Sequence, residues 1–190
     1  MDGVQQLDEI MPLLEAVVDG IGPDQLDDPT PCAQFTVSSV LEHMIAGATA
    51  FAPGFRGTEP AEPGGPATGS LQEQWREAMA DLLDAVHAPG AQDRTIAAPI
   101  GEVPGSVFAR FVAFDGLVHG WDLATATGQS YEPREPLVNE VDGFVRQALT
   151  AGMRDGDTFA AETEAPAGAT TLERLVAFTG RSLPQGEAQR

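Results

Sequence analysis

Four long segments of the sequence place apolar residues at the spacing of an amphipathic helix. The first runs from Leu7 to Ile21, the second from Val37 to about Ala52 and the third from Leu71 to Val86. The fourth, from Val107 to Ala126, is apolar almost all round and is followed by Gly128. Apolar residues that recur every three or four positions indicate helices, and a helix without a polar face is typical of a buried one. The pattern predicts four helices, with the fourth at the centre.

The segments between and after these helices have weaker patterns. Pro53 to Gly69 is rich in glycine and proline, which predicts a mobile surface connection. Asp93 to Gly105 breaks the helical pattern, with a short strand near Thr95 to Ile100. Two further helices are predicted from Glu135 to Met153 and from Thr171 to Thr179. Together these features favour an all-α fold, an antiparallel four-helix bundle with a short helical C-terminal appendage.

Composition limits the class of protein. At 190 residues we expect one domain, with a bundle core of about residues 1–128 and an appendage of about 129–190. The 29 acidic and 10 basic residues give a formal charge of -19, which is unfavourable for binding nucleic acid or an anionic membrane. The sequence has one cysteine, Cys32, no basic segment near its start and no apolar run long enough to cross a membrane. We therefore expect a cytoplasmic protein with small-molecule partners.

Two ionisable residues interrupt the apolar face of the fourth helix. Asp115 and His119 are four positions apart, so both side chains lie on one face, and we expect Asp115 to be buried. A buried carboxylate needs a hydrogen-bond partner, a counter-charge or a metal ion. His43 lies at the edge of the apolar stripe of the second helix, among small residues, and can meet a site on a facing helix.

These three residues have two interpretations. Two imidazoles and one carboxylate can bind a zinc-like divalent ion and leave one coordination position open, as in catalytic sites. Alternatively, Asp115 and His119 form an ordinary buried pair, and His43 is an edge residue without a role. Helical spacing alone does not decide between the two, because structural pairs also occur at this spacing.

Two stretches of the sequence resemble the actinobacterial branch of the DinB-like superfamily. They are Thr30 to His43 (TPCAQFTVSSVLEH) and Asp115 to Gly128 (DGLVHGWDLATATG), and the closing Phe178 to Arg181 adds to the likeness. Within that branch the sequence is similar to the N-terminal domain of mycothiol-dependent maleylpyruvate isomerase. The resemblance implies a four-helix bundle that binds a divalent metal through His43, Asp115 and His119. Zinc and nickel are the ions we expect, because both accept imidazole with carboxylate. The isomerase has glutamate where this sequence has Asp115.

The resemblance also implies a thiol chemistry. Its theme is a metal that binds the sulfur of a low-molecular-weight thiol, such as mycothiol, and delivers it to an electrophilic substrate. Isomerase activity itself is not implied, because the isomerase uses a second domain to form its substrate site. Our hypothesis is a thiol transferase or a thiol-dependent isomerase. The alternative is a non-catalytic small-molecule-binding or dimerising module with the same fold, and a homodimer is compatible with both.

Other polar residues have weaker assignments. Asp122, one turn beyond His119, is predicted either to orient that imidazole as part of the catalytic site or to face a neighbouring arginine. Arg110 and Arg181 are candidates for binding an anionic group, although arginines in so acidic a protein are more often surface counter-charges. Cys32 has no defined base beside it, so we expect a small buried contact in preference to a nucleophile.

Overall fold

The computed structural model is mostly helical, and it describes residues 1–59, 68–98, 101–150, 152, 154 and 160–183. Six α-helices in these ranges are α1 (Gly3–Asp19), α2 (Val37–Arg56), α3 (Leu71–Val86), α4 (Gly105–Thr127), α5 (Glu135–Ala148) and α6 (Thr171–Phe178). Two short strands, β1 (Thr95–Ala98) and β2 (Gly101–Pro104), lie between α3 and α4. The predicted all-α fold is confirmed.

Helices α1 to α4 form a bundle, in which α1 packs along α4 and α2 packs along α3. Helices α1 and α4 run in the same direction, because Gly3 lies against Ala109 and Gly20 lies against Gln129. Helix α2 runs the opposite way to α4. Phe51 packs on Phe108 near the start of α4, with ring centroids 4.7 Å apart, whereas the earlier residues of α2 face later turns of α4.

Helix α3 runs parallel to α2. Arg94, just after α3, donates a hydrogen bond to the carbonyl of Phe55 near the end of α2, at 2.7 Å. When two consecutive helices run parallel, the chain between them must travel back along the length of the first helix, here about 30 Å. This requirement accounts for the long glycine- and proline-rich connection predicted from Pro53 to Gly69, of which residues 60–67 lie outside the described ranges.

Helix α2 continues past Pro53, where the sequence predicts an end at about Ala52. Proline lacks the N–H of the helical hydrogen bond, so the last turn depends on other contacts. Phe55 is fully buried, and Arg56 donates to both carboxylate oxygens of Asp81 on α3, at 2.9 and 2.7 Å. These tertiary contacts stabilise the turn that the local sequence disfavours.

The connection between α3 and α4 is a β-hairpin. The predicted strand is present as β1, and it pairs antiparallel with β2, with Ile96 opposite Val103. The sequence analysis missed β2, because four residues that end in proline have the composition of a loop; Ile100 lies outside the described residues. At the end of the hairpin, the N–H of Gly105 donates to the carbonyl of Arg94 at 2.7 Å and directs the chain into α4.

The last two helices pack together on the bundle, α5 against both α4 and α6. Helix α5 ends at Ala148, before the predicted end at Met153, because Leu149 leaves the helical region with φ -76 and ψ 103. Met153 itself is outside the described residues. Helix α6 begins at its predicted residue, Thr171, after Thr170 caps it. The appendage thus reaches α4, which carries the site described next.

Candidate metal centre

His43 of α2 meets Asp115 and His119 of α4 where the two helices face each other. One ligand atom from each side chain lies within 4.8 Å of the others. His43 Nε2 is 3.4 Å from Asp115 Oδ1, and His119 Nε2 is 3.5 Å from the same oxygen. The structure brings together the three residues that the sequence analysis and the family resemblance indicated.

The distances of the two imidazoles from the Asp115 carboxylate fit a shared divalent ion. Nitrogen and oxygen ligands bind zinc at about 2.0–2.2 Å, so two ligands at a tetrahedral angle lie about 3.3–3.6 Å apart. The two distances from Asp115 Oδ1 fall in that range. They are longer than the roughly 2.7–2.9 Å of a charge-assisted hydrogen bond. The donor set of two imidazoles and one carboxylate also suits zinc or nickel.

The cluster is more open than predicted. The Asp115 side chain is 46% exposed and the His43 side chain 43%, whereas His119 is 7% exposed. The expectation that Asp115 is buried is therefore wrong. Helix α4 is covered along most of its surface, but the turn that carries Asp115 borders a cavity and solvent. A small molecule can thus approach the open side of the cluster.

The charges in the cluster favour an ionised carboxylate. Partial desolvation by the surrounding protein raises the pKa of Asp115, but the charge of His119, the hydrogen bond with His43 and the charge of Arg181 together bring that pKa below its usual range. The hydrogen bond to Asp115 raises the pKa of His43, although burial and Arg181 oppose this. A carboxylate that stays ionised at neutral pH is the form that binds a cation.

His119 is held in place by Asp122, which is completely buried. The Nδ1 atom of His119 lies 3.0 Å from Asp122 Oδ2, and since an ionised carboxylate only accepts, Nδ1–H is the donor. The other ring nitrogen, Nε2, then faces His43 and Asp115. Metal-bound histidines usually donate their second N–H in this way. The predicted contact between Asp122 and His119 is present.

Asp122 also forms a buried ion pair with Arg181, so both predicted environments of this carboxylate occur together. The guanidinium Nη2 is 2.9 Å from Asp122 Oδ2, and Nε is 3.3 Å from both oxygens. Arg181 follows α6, and its backbone N–H donates a hydrogen bond to the carbonyl of Val176 at 3.1 Å. With 7% of its surface exposed, Arg181 is neither a surface counter-charge nor available to a substrate. The C-terminal appendage therefore supports the cluster.

A closed loop before α2 covers the histidines. Pro29 pairs with Thr36 in an isolated bridge, and the N–H of Thr30 donates to the carbonyl of Phe35 at 3.0 Å. The Phe35 ring then packs edge-on against His43, with centroids 5.7 Å apart, and lies 6.2 Å from the His119 ring. The sequence analysis did not single out Phe35. The sequence signal that could have identified Phe35 was its position one residue before the N-terminal cap of α2.

Cys32 lies in the same loop and is half-buried. Burial raises the pKa of its thiol; Arg181 opposes this shift, and the charges of Asp122 and Asp115 add to it. A raised pKa leaves less of the reactive thiolate, in agreement with the predicted packing role. Arg110, the other candidate for anion binding, lies over the Phe144 ring at 4.2 Å on the opposite side of α4 from the cluster's contacts. Neither residue joins the His–Asp–His cluster.

The bundle and its cluster define a class of protein, a helical bundle with a candidate divalent-metal centre between α2 and α4. The chain belongs to the family of the mycothiol maleylpyruvate isomerase N-terminal domain, whose model matches residues 7–124. The family resemblance drawn from the sequence is thus confirmed. The match includes all three residues of the cluster and ends before Arg181.

Two relatives are described as uncharacterized proteins of Mycobacterium tuberculosis, from strains CDC 1551 / Oshkosh and ATCC 25618 / H37Rv. Each is 34% identical to this chain over 169 residues, which cover 88% of this chain and 91% of the relative. No solved structure matches the chain significantly. Among the helices in the described ranges, none combines the length and apolar character needed to span a bilayer.

Proposed function

We propose that this protein binds a divalent metal ion, zinc or nickel, through His43, Asp115 and His119. We further propose that it activates a low-molecular-weight thiol such as mycothiol for transfer to an electrophile or for thiol-dependent isomerisation. The observation that carries this proposal is the convergence of three ligand atoms within 4.8 Å on two facing helices. The family description, which names mycothiol, supports the choice of thiol.

A divalent ion held by these residues would lower the pKa of a bound thiol, so that a thiolate would be available at neutral pH. The chain's own residues provide the rest. Asp122 fixes the tautomer of His119, and the half-exposed His43 and Asp115 leave an open side from which the thiol approaches. Asp115 supplies one negative charge, so the cluster with a divalent ion keeps a net positive charge that attracts the sulfur anion.

The two reactions differ in the group that is released from the substrate carbon. In a transfer, the S–C bond forms, the bond from carbon to the leaving group breaks with its electron pair on that group, and the thiol proton goes to solvent. In an isomerisation, the thiol adds to a double bond and is eliminated after rotation, so the thiol is regenerated. Both reactions need a small electrophile and a thiol in the cytoplasm, and neither needs nucleic acid or a membrane.

Metal content tests the first half of the proposal. We expect protein purified without a polyhistidine tag or chelator to hold about one zinc or nickel ion per chain by elemental analysis. His43→Ala and Asp115→Ala are expected to lose it. His87→Ala is the matched control, since His87 binds Asp8 on the surface at 2.8 Å, away from the cluster. Equal metal content in all four proteins would contradict the proposal.

Thiol binding and turnover test the second half. Mycothiol or a surrogate thiol is expected to change the visible spectrum of the cobalt-substituted protein, and benzyl chloride is expected to be consumed with loss of free thiol. Asp115→Ala serves as the inactive control in both assays. If the fully metal-loaded protein shows neither response, the alternative of a binding or dimerising module without turnover replaces the enzyme.

A further inference from the structure

An apolar cavity lies beside the His–Asp–His cluster, inside the bundle. Its volume is about 190 Å³, and residues of α1, α2, α3 and α4 line it. His43 and Asp115 form part of its wall, so the cavity and the candidate metal centre are continuous. Nearly all other lining side chains are aliphatic, aromatic or methionine. The site therefore has a polar end at the cluster and an apolar body.

The cavity has the size of one small apolar molecule. A cavity of about 150 Å³ lined by apolar side chains is known to stay dry and to bind benzene. The cavity here is somewhat larger, at about 190 Å³. It has room for one aromatic ring with a short substituent, or an alkyl chain of similar volume. A sugar-bearing thiol, which is larger and polar, does not match this space.

The walls of the cavity are adaptable. Met11, Met44 and Met79 line it from three different helices, and they are three of the five methionines in the sequence. Methionine is unbranched and polarizable, and it is common on surfaces that accept apolar ligands of varied shape. Phe51 and Phe108, stacked edge-to-face at 4.7 Å, add an aromatic wall. These residues favour an apolar ligand by contact.

The charges of the lining disfavour an anionic ligand. His43 and Asp115 are the only titratable residues among the side chains that line the cavity within the described part of the chain. Arg181 is paired with Asp122, and Arg110 lies over Phe144, so neither guanidinium reaches into it. Placing a carboxylate in an apolar environment without a counter-charge is highly unfavourable. A dicarboxylate is therefore a poor match for this cavity.

We infer that the cavity binds the uncharged, apolar body of the electrophilic substrate, about the size of one aromatic ring, with its reactive end at His43 and Asp115. This inference deepens the proposed function and rests on it for the identity of the ligand as a substrate. The polar thiol then occupies the part of the cluster that is open to solvent, and the two reactants meet at His43 and Asp115. The substrate class is thus a small aryl or alkyl electrophile and not a dicarboxylate.

Gly47 offers a direct way to fill the cavity. It lines the cavity from α2, and a Cβ placed there meets only the Phe51 ring, at 3.9 Å, which is an ordinary contact. Gly47→Leu therefore occupies ligand space without a clash at its first atom, and leucine has the higher helix propensity of the two residues. Gly143→Leu on α5 is the matched control, since a Cβ there meets nothing within 4 Å and the residue is not part of the lining.

Binding of toluene and of maleate to the metal-free protein, measured by calorimetry or ligand-observed NMR, tests the inference without the proposed activity. We expect toluene to bind, maleate to bind at least tenfold more weakly, and Gly47→Leu to weaken toluene binding at least tenfold. We expect Gly143→Leu to bind toluene as the original protein does. Equal binding of maleate, or toluene binding that Gly47→Leu leaves unchanged, would overturn the inference.

Turnover in the zinc-loaded protein separates this inference from the proposed function. Gly47→Leu is expected to retain full zinc content and to consume benzyl chloride at least tenfold more slowly, whereas Gly143→Leu retains the rate. Toluene binding without any thiol consumption would refute the proposed function and with it the assignment of the ligand as a substrate. Thiol consumption that Gly47→Leu does not slow would refute the cavity as the substrate site and leave the proposed function standing.

Discussion

The Nδ1 atom of His119 lies 3.0 Å from Oδ2 of Asp122, a carboxylate with no exposed surface. This hydrogen bond sets which ring nitrogen of His119 is free to bind a metal ion. The same carboxylate is the partner of Arg181, so one buried group connects the bundle, the candidate metal centre and the C-terminal appendage. We therefore expect both the affinity of the site for a metal ion and the stability of the fold to depend on this carboxylate.

Replacing Asp122 with asparagine is expected to lower zinc affinity about 10- to 100-fold, because the amide orients the His119 ring less strongly than a carboxylate. The variant also leaves the Arg181 charge buried without its counter-charge, which is expected to cost about 3–5 kcal/mol of stability. Zinc titration against a competing chelator and denaturant unfolding measure the two effects. Asp142→Asn is the control, since Asp142 pairs with Arg146 on α5 at 2.9 Å. An Asp122→Asn protein with unchanged zinc affinity would refute the positioning role.

Zinc is expected to stabilise the folded protein, because the cluster assembles residues that are far apart in the unfolded chain. At a free zinc concentration about 100 times the dissociation constant, the gain is about 2.7 kcal/mol. For a chain of this length that gain corresponds to a rise in melting temperature of about 5–10 °C. Thermal unfolding with zinc, and again after a chelator is added, measures it. Asp115→Ala should show no such rise, and an equal rise in that variant would indicate binding elsewhere.

Gly105 is expected to tolerate no side chain. A Cβ at this position would overlap the carbonyl oxygen of Ala91 and lie 3.1 Å from its carbonyl carbon, and both atoms belong to the backbone. Gly105→Ala is therefore expected to lose about 1–3 kcal/mol of stability, as overpacked sites do. Gly143→Ala, in open space on α5, is expected to gain stability through helix propensity. Urea unfolding measures the stability of both variants. Equal stabilities would show that the backbone near Ala91 shifts to accommodate the added Cβ at little cost.

The thiol of Cys32 is expected to react slowly at neutral pH. Burial raises its pKa, so at pH 7 a smaller fraction is thiolate than in a free cysteine. Because deprotonation creates the nucleophile, the rate of alkylation by iodoacetamide should rise with pH and continue to rise above the pH where a small-molecule thiol levels off. Mass spectrometry of the alkylated protein, with glutathione in the same buffer as the reference, measures this. Alkylation faster than that of glutathione at pH 7 would show an activated cysteine.

The sequence predicts most helices because their signal is local. The stripe of α3 and the cap at Gly128, with φ 69, depend on residues a few positions apart, and they agree with the structure. The end of α2 differs from its prediction, because Phe55 and Arg56 are held by residues distant in the chain. The strand β2 was missed for a related reason, since its four residues are a strand only beside β1.

The candidate site was likewise predictable where its signal is local and unpredictable where it depends on contacts between distant parts of the chain. The four-residue spacing of Asp115 and His119 places both on one face, and the position of His43 at the edge of the apolar stripe of α2 lets it meet them. The family resemblance then indicates all three as metal ligands. The exposure of Asp115 was predicted wrongly, because periodicity describes a face and not the gap between that face and its neighbours. The cavity, and the identity of the arginine that pairs with Asp122, were beyond prediction for the same reason, since both depend on how separate helices pack.

The matched family segment, residues 7–124, contains the three candidate ligands but not Arg181. The guanidinium that balances Asp122 therefore comes from outside the shared module. Related chains that keep the bundle and vary their C-terminal part can change how firmly one imidazole is aligned without altering any ligand. Differences in metal preference among these proteins are then expected to follow differences in their C-terminal sequences more closely than differences in their bundle sequences.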